Sequence, residues 1–327
     1  GAVIALFKHD LKSLLAFSTV SHLGLITMLL GTGTAFGAMA AVFHILNHAT
    51  FKAALFMSAG IIDHEAHTRD IRRLGGLRKL MPVTFMIASL AALSMAGIPL
   101  LNGFLSKEMM LEEAHHTVLF GSHWLVPALA TFGSIFSAAY CFRLIGHVFF
   151  GPVRDDYPAK PHDPNPGLWM PPAILAVLVV IIGVAPFVAE PFVKLVTTSV
   201  LGGAAELPTA HFKIWHGLTP ALFMSIVAVT GGLVMLAIFN PALRLWDRTP
   251  RPEAKSIFEA VVEGVTQLAR ALILPLHNGA FSRYAAIGAV TIIAAGFHAW
   301  TTGTLGAPTR EAQAAGPVVI AGWLMLV

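Results

Sequence analysis

Residues 43–60, FHILNHATFKAALFMSAG, decide how the chain is read. The stretch is apolar enough to lie in a bilayer, yet it places His44, His48 and Lys52 at steps of four. On a helix, four residues turn about 400°, so each group drifts only about 40° from the last and rises about 6 Å. Three protonatable side chains therefore share one face over about 12 Å. Ionisable groups inside a membrane span are costly and by default mark a polar path. The competing reading is a polar stripe that holds a neighbouring helix through hydrogen bonds.

The rest of the chain suits a membrane. It has 327 residues, of which 56% are hydrophobic and 12% charged, and its mean hydropathy is +0.74. Soluble domains carry about 25% charged residues. Here the charges crowd into short segments between long apolar runs, the signature of an all-α, polytopic transmembrane helical bundle. Continuous rather than alternating runs disfavour a β-barrel. The basic excess accompanies no nucleic-acid motif and reads as loop charge. The single Cys141 excludes a disulfide framework or a cysteine metal site. Both ends, GAVIALF and VVIAGWLMLV, look like spans cut part-way, so a piece of a longer protein is expected.

Taken in order, Asp10 is a candidate N-cap for a helix from about Leu11 to Leu30, and a second helix runs to about Ile62. Pro82 opens the next span, which ends near Gly97. The segment 104–118 holds Lys107, Glu108, Glu112 and Glu113, so it is no plain lipid-facing span. It is either a loop or a half-helix broken near Gly121 and continued by 125–150, as in transporters whose discontinuous helices line a buried site. One net crossing over 104–150 puts loops 63–81, 151–169 and 241–256 on one side, with five, two and four basic residues. That asymmetry obeys the positive-inside rule. Further spans are expected at about 170–189, kinked at Pro186, then at 219–239 and from Tyr284 to Thr302. Residues 253–274 alternate apolar and charged faces and suit either a helix lying on the membrane surface or a short tilted span.

Phosphate-loop, dinucleotide, HExxH and nucleophile-elbow signatures are all missing from the sequence, so no enzyme chemistry and no cofactor are expected. The pairs His64/His67 and His115/His116 are ordinary for loop ends, and no metal is expected. What remains is a set of protonatable groups in or near apolar helices: Lys12, His22, His44, His48, Lys52 and Lys107. Burial disfavours their charged forms, which lets such groups take up and release protons. For Lys12 a snorkelling role at the interface competes. Lys107 follows a break in which Gly97, Pro99 and Gly103 free the backbone.

Several runs carry a resemblance: DLKSLLAFSTVSHLGL, FHILNHATFKAALFMSAGIIDHE, TRDIRRLGGL and SMAGIPLLNGFLSKE. Over about residues 1–150 the chain resembles the second half of the antiporter-like module shared by large membrane subunits of respiratory complex I and Mrp-type multisubunit cation/proton antiporters. STVSHLGL, IIDHE followed by TRDI, and LPLHNGAFSRY are most similar to the A-type subunit of the Mrp antiporter. His67 departs from it, since Gly is expected before TRD.

The resemblance implies two inverted repeats, each with a lysine on a broken helix, the first lying before residue 1. Residues 1–150 would form the second repeat and 151–327 additional membrane helices. Lys107 matches the broken-helix lysine, Lys52 the central lysine, His44 and His48 its histidines, and Lys12 the lysine of DLK. Glu108 stands where the family often has an acid. The expected function is proton translocation through a relay of Lys12, His44, His48, Lys52 and Lys107, with Ser18, Ser21 and Asn47 holding waters. The expected partners are other antiporter subunits, the lipid bilayer of the cell membrane, protons and sodium. The alternatives are a pumping subunit of the complex I type and a membrane subunit with a purely structural role.

Overall fold

The computed structural model describes residues 1–203, 207, 212–215, 217–250, 254–277, 279–303 and 316–326, and the regular elements among them are helices. Two compact units appear, Gly1–Thr249 and Pro250–Val327. The first opens with α1 (Ala2–Phe7), which the polar KHD segment interrupts. Helix α2 (Leu11–Gly31) starts where Asp10 accepts a hydrogen bond from the Ser13 N–H at 2.7 Å, the expected N-cap. Helix α3 (Ala35–Ala66) is capped the same way by Thr34, which accepts from Gly37 N–H at 2.8 Å. Its 32 residues extend about 48 Å, well beyond a hydrocarbon core of about 30 Å. It stops at His67, whose φ of 51° is left-handed. That is the helix-ending conformation glycine adopts most easily, which gives a physical reason for the Gly expected there.

Helix α4 (Pro82–Ala96) has proline in its first turn, where a missing N–H costs least. Its cap comes from far along the chain. Asp163 accepts from Val83 N–H at 2.8 Å, Thr84 N–H at 3.0 Å and the Thr84 hydroxyl at 2.7 Å. Gly97 then ends α4 with φ 87°, and α5 (Asn102–His116) and α6 (Leu125–Phe149) follow.

Here the geometry corrects the sequence reading. Segment 104–118 is the expected half-helix, but it does not continue into 125–150. Lys107 and Met110 lie beside Ser134 and Ser137, whereas Leu111 and Ala114 pack with Val126 and Ala130. Ascending α5 thus means descending towards the start of α6, so the two form an antiparallel hairpin around residues 117–124. The break that matters is 97–101: α4 and α5 together make one crossing, and α6 makes the return.

After α6, α7 (Pro166–Val184) ends before Pro186. Proline has no N–H to donate and disfavours helix at the preceding residue. Pro186 therefore does not kink a longer span; it opens a short turn, Pro186–Val188, that leads into α8 (Glu190–Val200). Helix α9 (Pro220–Ala237) packs closely on α6, where a Cβ on Gly232 would lie 2.5 Å from that of Ala138. Small residues at such crossings are how membrane helices approach closely. Residues 239–248 are helical (α10, Phe239–Arg248) rather than loop, with Arg244 and Arg248 exposed and Trp246 stacked on Phe7 at 4.5 Å.

The second unit holds α11 (Ala254–Leu276), α12 (Phe281–Thr301) and α13 (Pro317–Leu326). Among the described residues, α2, α3, α6, α7, α9 and α12 are long and apolar enough to cross a membrane, and α4 is a shorter apolar helix. Helix α11 does not meet that measure. Glu253, the first residue of the amphipathic stretch, lies outside the described residues.

In the first unit the polar segments gather at one end. Arg69 pairs with Asp10 at 3.0 Å, Gly76 N–H donates to Phe150 C=O at 2.9 Å, and the Tyr157 hydroxyl donates to the Gly75 carbonyl. This is the clustering of basic loops that charge parity required, although Arg251 falls outside the described residues.

Gly103 is where the fold constrains the site most sharply, since a Cβ there would run into the Ser94 carbonyl of α4. Gly103→Ala should destabilise the assembled protein by about 1–3 kcal/mol. Gly133→Ala, which meets nothing within 4 Å, should be neutral or better. Thermal unfolding of both variants checks this, and equal midpoints would contradict it.

Candidate proton path

Helix α2 orders the path by depth. Lys12 lies in its first turn, Ser18 about 9 Å further along the axis and His22 about 6 Å beyond that. At the first level the Lys12 ammonium pairs with Asp63 of α3 at 2.8 Å, both side chains partly exposed. This places Lys12 at the mouth of the path, tied to a partner the sequence reading did not name.

One level deeper, Lys52 is buried on α3. Its ammonium donates to the Leu15 carbonyl at 3.2 Å and to the Ser18 hydroxyl, which itself donates to Leu15 C=O at 2.8 Å. Ser18, expected to hold water, meets the Lys52 ammonium directly. No carboxylate pairs with Lys52 among the described residues; two neutral oxygens hold it.

At the third level a hydrogen-bonded chain joins four helices. The Ser137 and Tyr140 hydroxyls of α6 are 3.0 Å apart, and Tyr140 OH is 3.1 Å from His22 Nε2. His22 Nδ1 lies 3.0 Å from His44 Nε2, and His44 Nδ1 lies 3.0 Å from the Ser106 hydroxyl of α5. A neutral imidazole has one donor and one acceptor nitrogen. The chain is satisfied with all donors pointing from Ser137 to Ser106, or with all reversed. Passing one proton along it converts one polarity into the other.

The far end of this chain is one residue from Lys107, which is buried and donates to Ala96 C=O, at the end of α4, at 2.9 Å. Gly97 must be a glycine for this contact, because a Cβ there would lie 2.8 Å from Lys107 Cδ. The break is braced by a polar lattice. Ser94 donates to Asn102 Oδ1 at 2.7 Å, Asn102 Nδ2 to Thr50 at 3.0 Å, and Asn47 Nδ2 to Asn102 C=O at 3.0 Å. Between chain and lysine lies a cavity lined by His22, His44, Phe51, Ser94, Lys107 and Ser137, offering about 10 Å³ to the centre of a water molecule. That is about the minimum for one water.

The other expected residues differ in what they do. Asn47 braces the break, and its Oδ1 is buried with no partner among the described residues. His48 lies beside the chain, its ring 5.4 Å from that of His22, with a buried Nε2 that has no partner among the described residues. Ser21 is half-buried beside Gly1. Glu108 is buried on α5, turned about 100° from Lys107.

His64 and His162 each bond to one oxygen of Glu65, at 3.0 and 3.1 Å, instead of joining His67. Among the described residues no group of three or more His, Cys, Asp or Glu is placed to hold a metal.

Sequence reasoning missed Asp63, Ser137 and Tyr140 as path residues, and it missed Arg143. The buried Arg143 donates from Nη1 to Leu6 C=O at 2.5 Å and Lys8 C=O at 2.7 Å, and it lies over Phe239. Its Nη2 lies 3.2 Å from His9 Nδ1. Burial, with the Arg143 charge next in weight, lowers the His9 pKa below the usual histidine range, consistent with a neutral ring that accepts from Arg143. The signals were available. An arginine or an S-x-x-Y pair inside an otherwise apolar span is as conspicuous as a histidine.

Bundle and path together define the class: a polytopic helical membrane protein with a polar line through its core. Residues 1–137 match the family described as NADH:quinone oxidoreductase/Mrp antiporter, transmembrane. The chain is 49% identical over 235 residues to a probable K(+)/H(+) antiporter A/B subunit of Rhizobium meliloti, covering 71% of this chain and 23% of that protein. It is 40% identical over 263 residues to the Na(+)/H(+) antiporter A1 subunit of Staphylococcus saprophyticus, covering 74% of this chain and 32% of that protein. A solved Mrp complex from Dietzia sp. DQ12-45-1b is similar over 99% of this chain and 34% of the matched one, with 30% identity and a TM-score of 0.72. The chain thus spans about a quarter to a third of the length of these relatives. The resemblance read from the sequence holds, and the named relatives are transporter subunits rather than enzymes.

The Lys52 level yields a direct prediction. Ser18→Val removes the hydroxyl and should cost about 1–3 kcal/mol, the usual penalty for leaving a buried donor unpaired. Ser18→Thr should recover most of the loss. Thermal midpoints of the two variants check this, and a Val variant as stable as the original would contradict it.

Proposed function

We propose that this chain is part of the A-type subunit of a multisubunit monovalent cation/proton antiporter, and that it carries protons across the middle of the cell membrane. The observation that carries the reading is the unbroken hydrogen-bonded chain from Ser137 to Ser106, flanked by two buried lysines. Protons enter or leave at Lys12 and Asp63, pass Lys52, and reach Lys107 through His22 and His44, with one water in the adjoining cavity closing the last gap. His48 supplies a further acceptor beside the chain. Each transfer alters the charge its neighbour feels: an ammonium at Lys52 disfavours one at Lys107, so occupancy is coupled without large motion. The basic end faces the cytoplasm by the positive-inside rule. Residues 1–150 form the second inverted repeat, and α11 lies along the membrane surface.

The named relatives favour an antiporter over a redox-driven pump, and between them they carry both sodium and potassium in their names. Sodium is the expected cation. Exchange is measured with the complete complex in proteoliposomes, using sodium and then potassium. Lys52→Ala and Lys107→Ala should each assemble normally and lower exchange at least 10-fold. Assembly with normal rates in both variants would end the proposal, leaving a structural role for the polar line.

A further inference from the structure

At the basic end of the first unit lies a cavity of about 280 Å³ that the proton path does not use. It opens between residues 71–75 and the segment leaving α6. Its lining combines the basic Arg72, Arg154 and His147 with the apolar Ile71, Leu74 and Phe150. Arg154 folds over a glycine turn: a Cβ on Gly75 would lie 3.6 Å from Arg154 Nε. The Arg78 guanidinium stands 4.6 Å from the centroid of the Phe150 ring.

The charges are unequal. Asp70 takes the Nε and Nη2 edge of Arg72, at 3.0 and 2.6 Å, and these hydrogen bonds hold the Asp70 carboxyl below its usual range. That pair is neutral overall. Among the described residues Arg154 and Arg78 make no ion pair, although Asp155 and Asp156 follow Arg154 in sequence. The cavity lining therefore keeps a net positive charge beside aliphatic and aromatic side chains, at the level where α6 ends. Guanidinium groups bind phosphate oxygens in a two-pronged geometry, and basic pockets between membrane helices on the cytoplasmic side bind anionic lipid head groups.

We infer that this cavity is a binding site for the phosphodiester head group of an anionic phospholipid, with Arg154 and the outer edge of Arg72 on the phosphate and Phe150 and Leu74 against the glycerol and first acyl carbons. A free phosphate would use the arginines but has no need of the apolar side chains.

The test uses the intact, delipidated complex, read as the rise in thermal midpoint on titration with one probe at a time. The probes are dioleoyl phosphatidylglycerol, dioleoyl phosphatidylcholine and inorganic phosphate. Phosphatidylglycerol should stabilise the complex saturably, at concentrations at least 5-fold below those needed in Arg154→Gln. His147→Gln should weaken it less, and Arg154→Lys should restore part of the affinity. Phosphatidylcholine and inorganic phosphate should do little. Equal titrations in the original complex, Arg154→Gln and His147→Gln would overturn the site, as would equal stabilisation by phosphatidylcholine. Displacement of the lipid by phosphate at similar concentration would overturn the lipid assignment in favour of a soluble anion. Should Arg154→Gln fail to assemble, His147→Gln carries the same comparison.

Discussion

The hydrogen bond between His22 and His44 fixes the register of α2 against α3, and the other bonds of those two rings reach α6 and α5. Each such bond contributes about 1 kcal/mol net, but an unpaired buried ring nitrogen costs about 1–3 kcal/mol. Sliding any one of the four helices by a turn would orphan several groups together. The polar line thus acts as a register key for helices that otherwise present one another with interchangeable apolar surfaces. The register of the bundle rests here on the same atoms as the proposed proton path.

The two buried lysines are held differently. Lys52 is met by a serine hydroxyl and a carbonyl on the continuous helix α2, whereas Lys107 is met by a carbonyl that only the end of α4 can offer. The last carbonyls of a helix have no intrahelical partner, so ending α4 at Gly97 leaves the Ala96 carbonyl free to accept from Lys107. The asparagine and serine lattice around Asn102 then braces the break, with Ser94 also accepting from the Gly103 N–H. Ending a helix in mid-membrane is tolerated where freed groups find partners in the protein, as the Ala96 carbonyl and the Gly103 N–H do here.

Much of this was legible in the sequence. The four-residue spacing of His44, His48 and Lys52 gave the polar face of α3, and glycine and proline spacing located the break before Lys107. Asp10 as a cap and the basic loops gathered at one end also held. The direction of α5 relative to α6 was not legible, because charge parity is the same whether 104–118 continues into α6 or turns back. Nor was the distant cap of α4 by Asp163, since no local pattern links residues about 80 positions apart. The role of Tyr140 was not legible because spacing within α6 does not show that its hydroxyl meets His22 on α2. Lys12 shows the limit from the other side: spacing could not tell a snorkelling lysine from a relay, and its place beside Asp63 at the mouth fits both.

The central claim is that His22 joins α6 to α3 as a conductor of protons rather than as a packing ring. His22→Phe keeps the ring and its stacking on His44 while removing both nitrogens, so proton-coupled cation exchange by the complete complex in proteoliposomes is the most direct test. The predicted result is a normally assembled complex whose exchange falls at least 10-fold. A normally assembled complex exchanging at the original rate would contradict it.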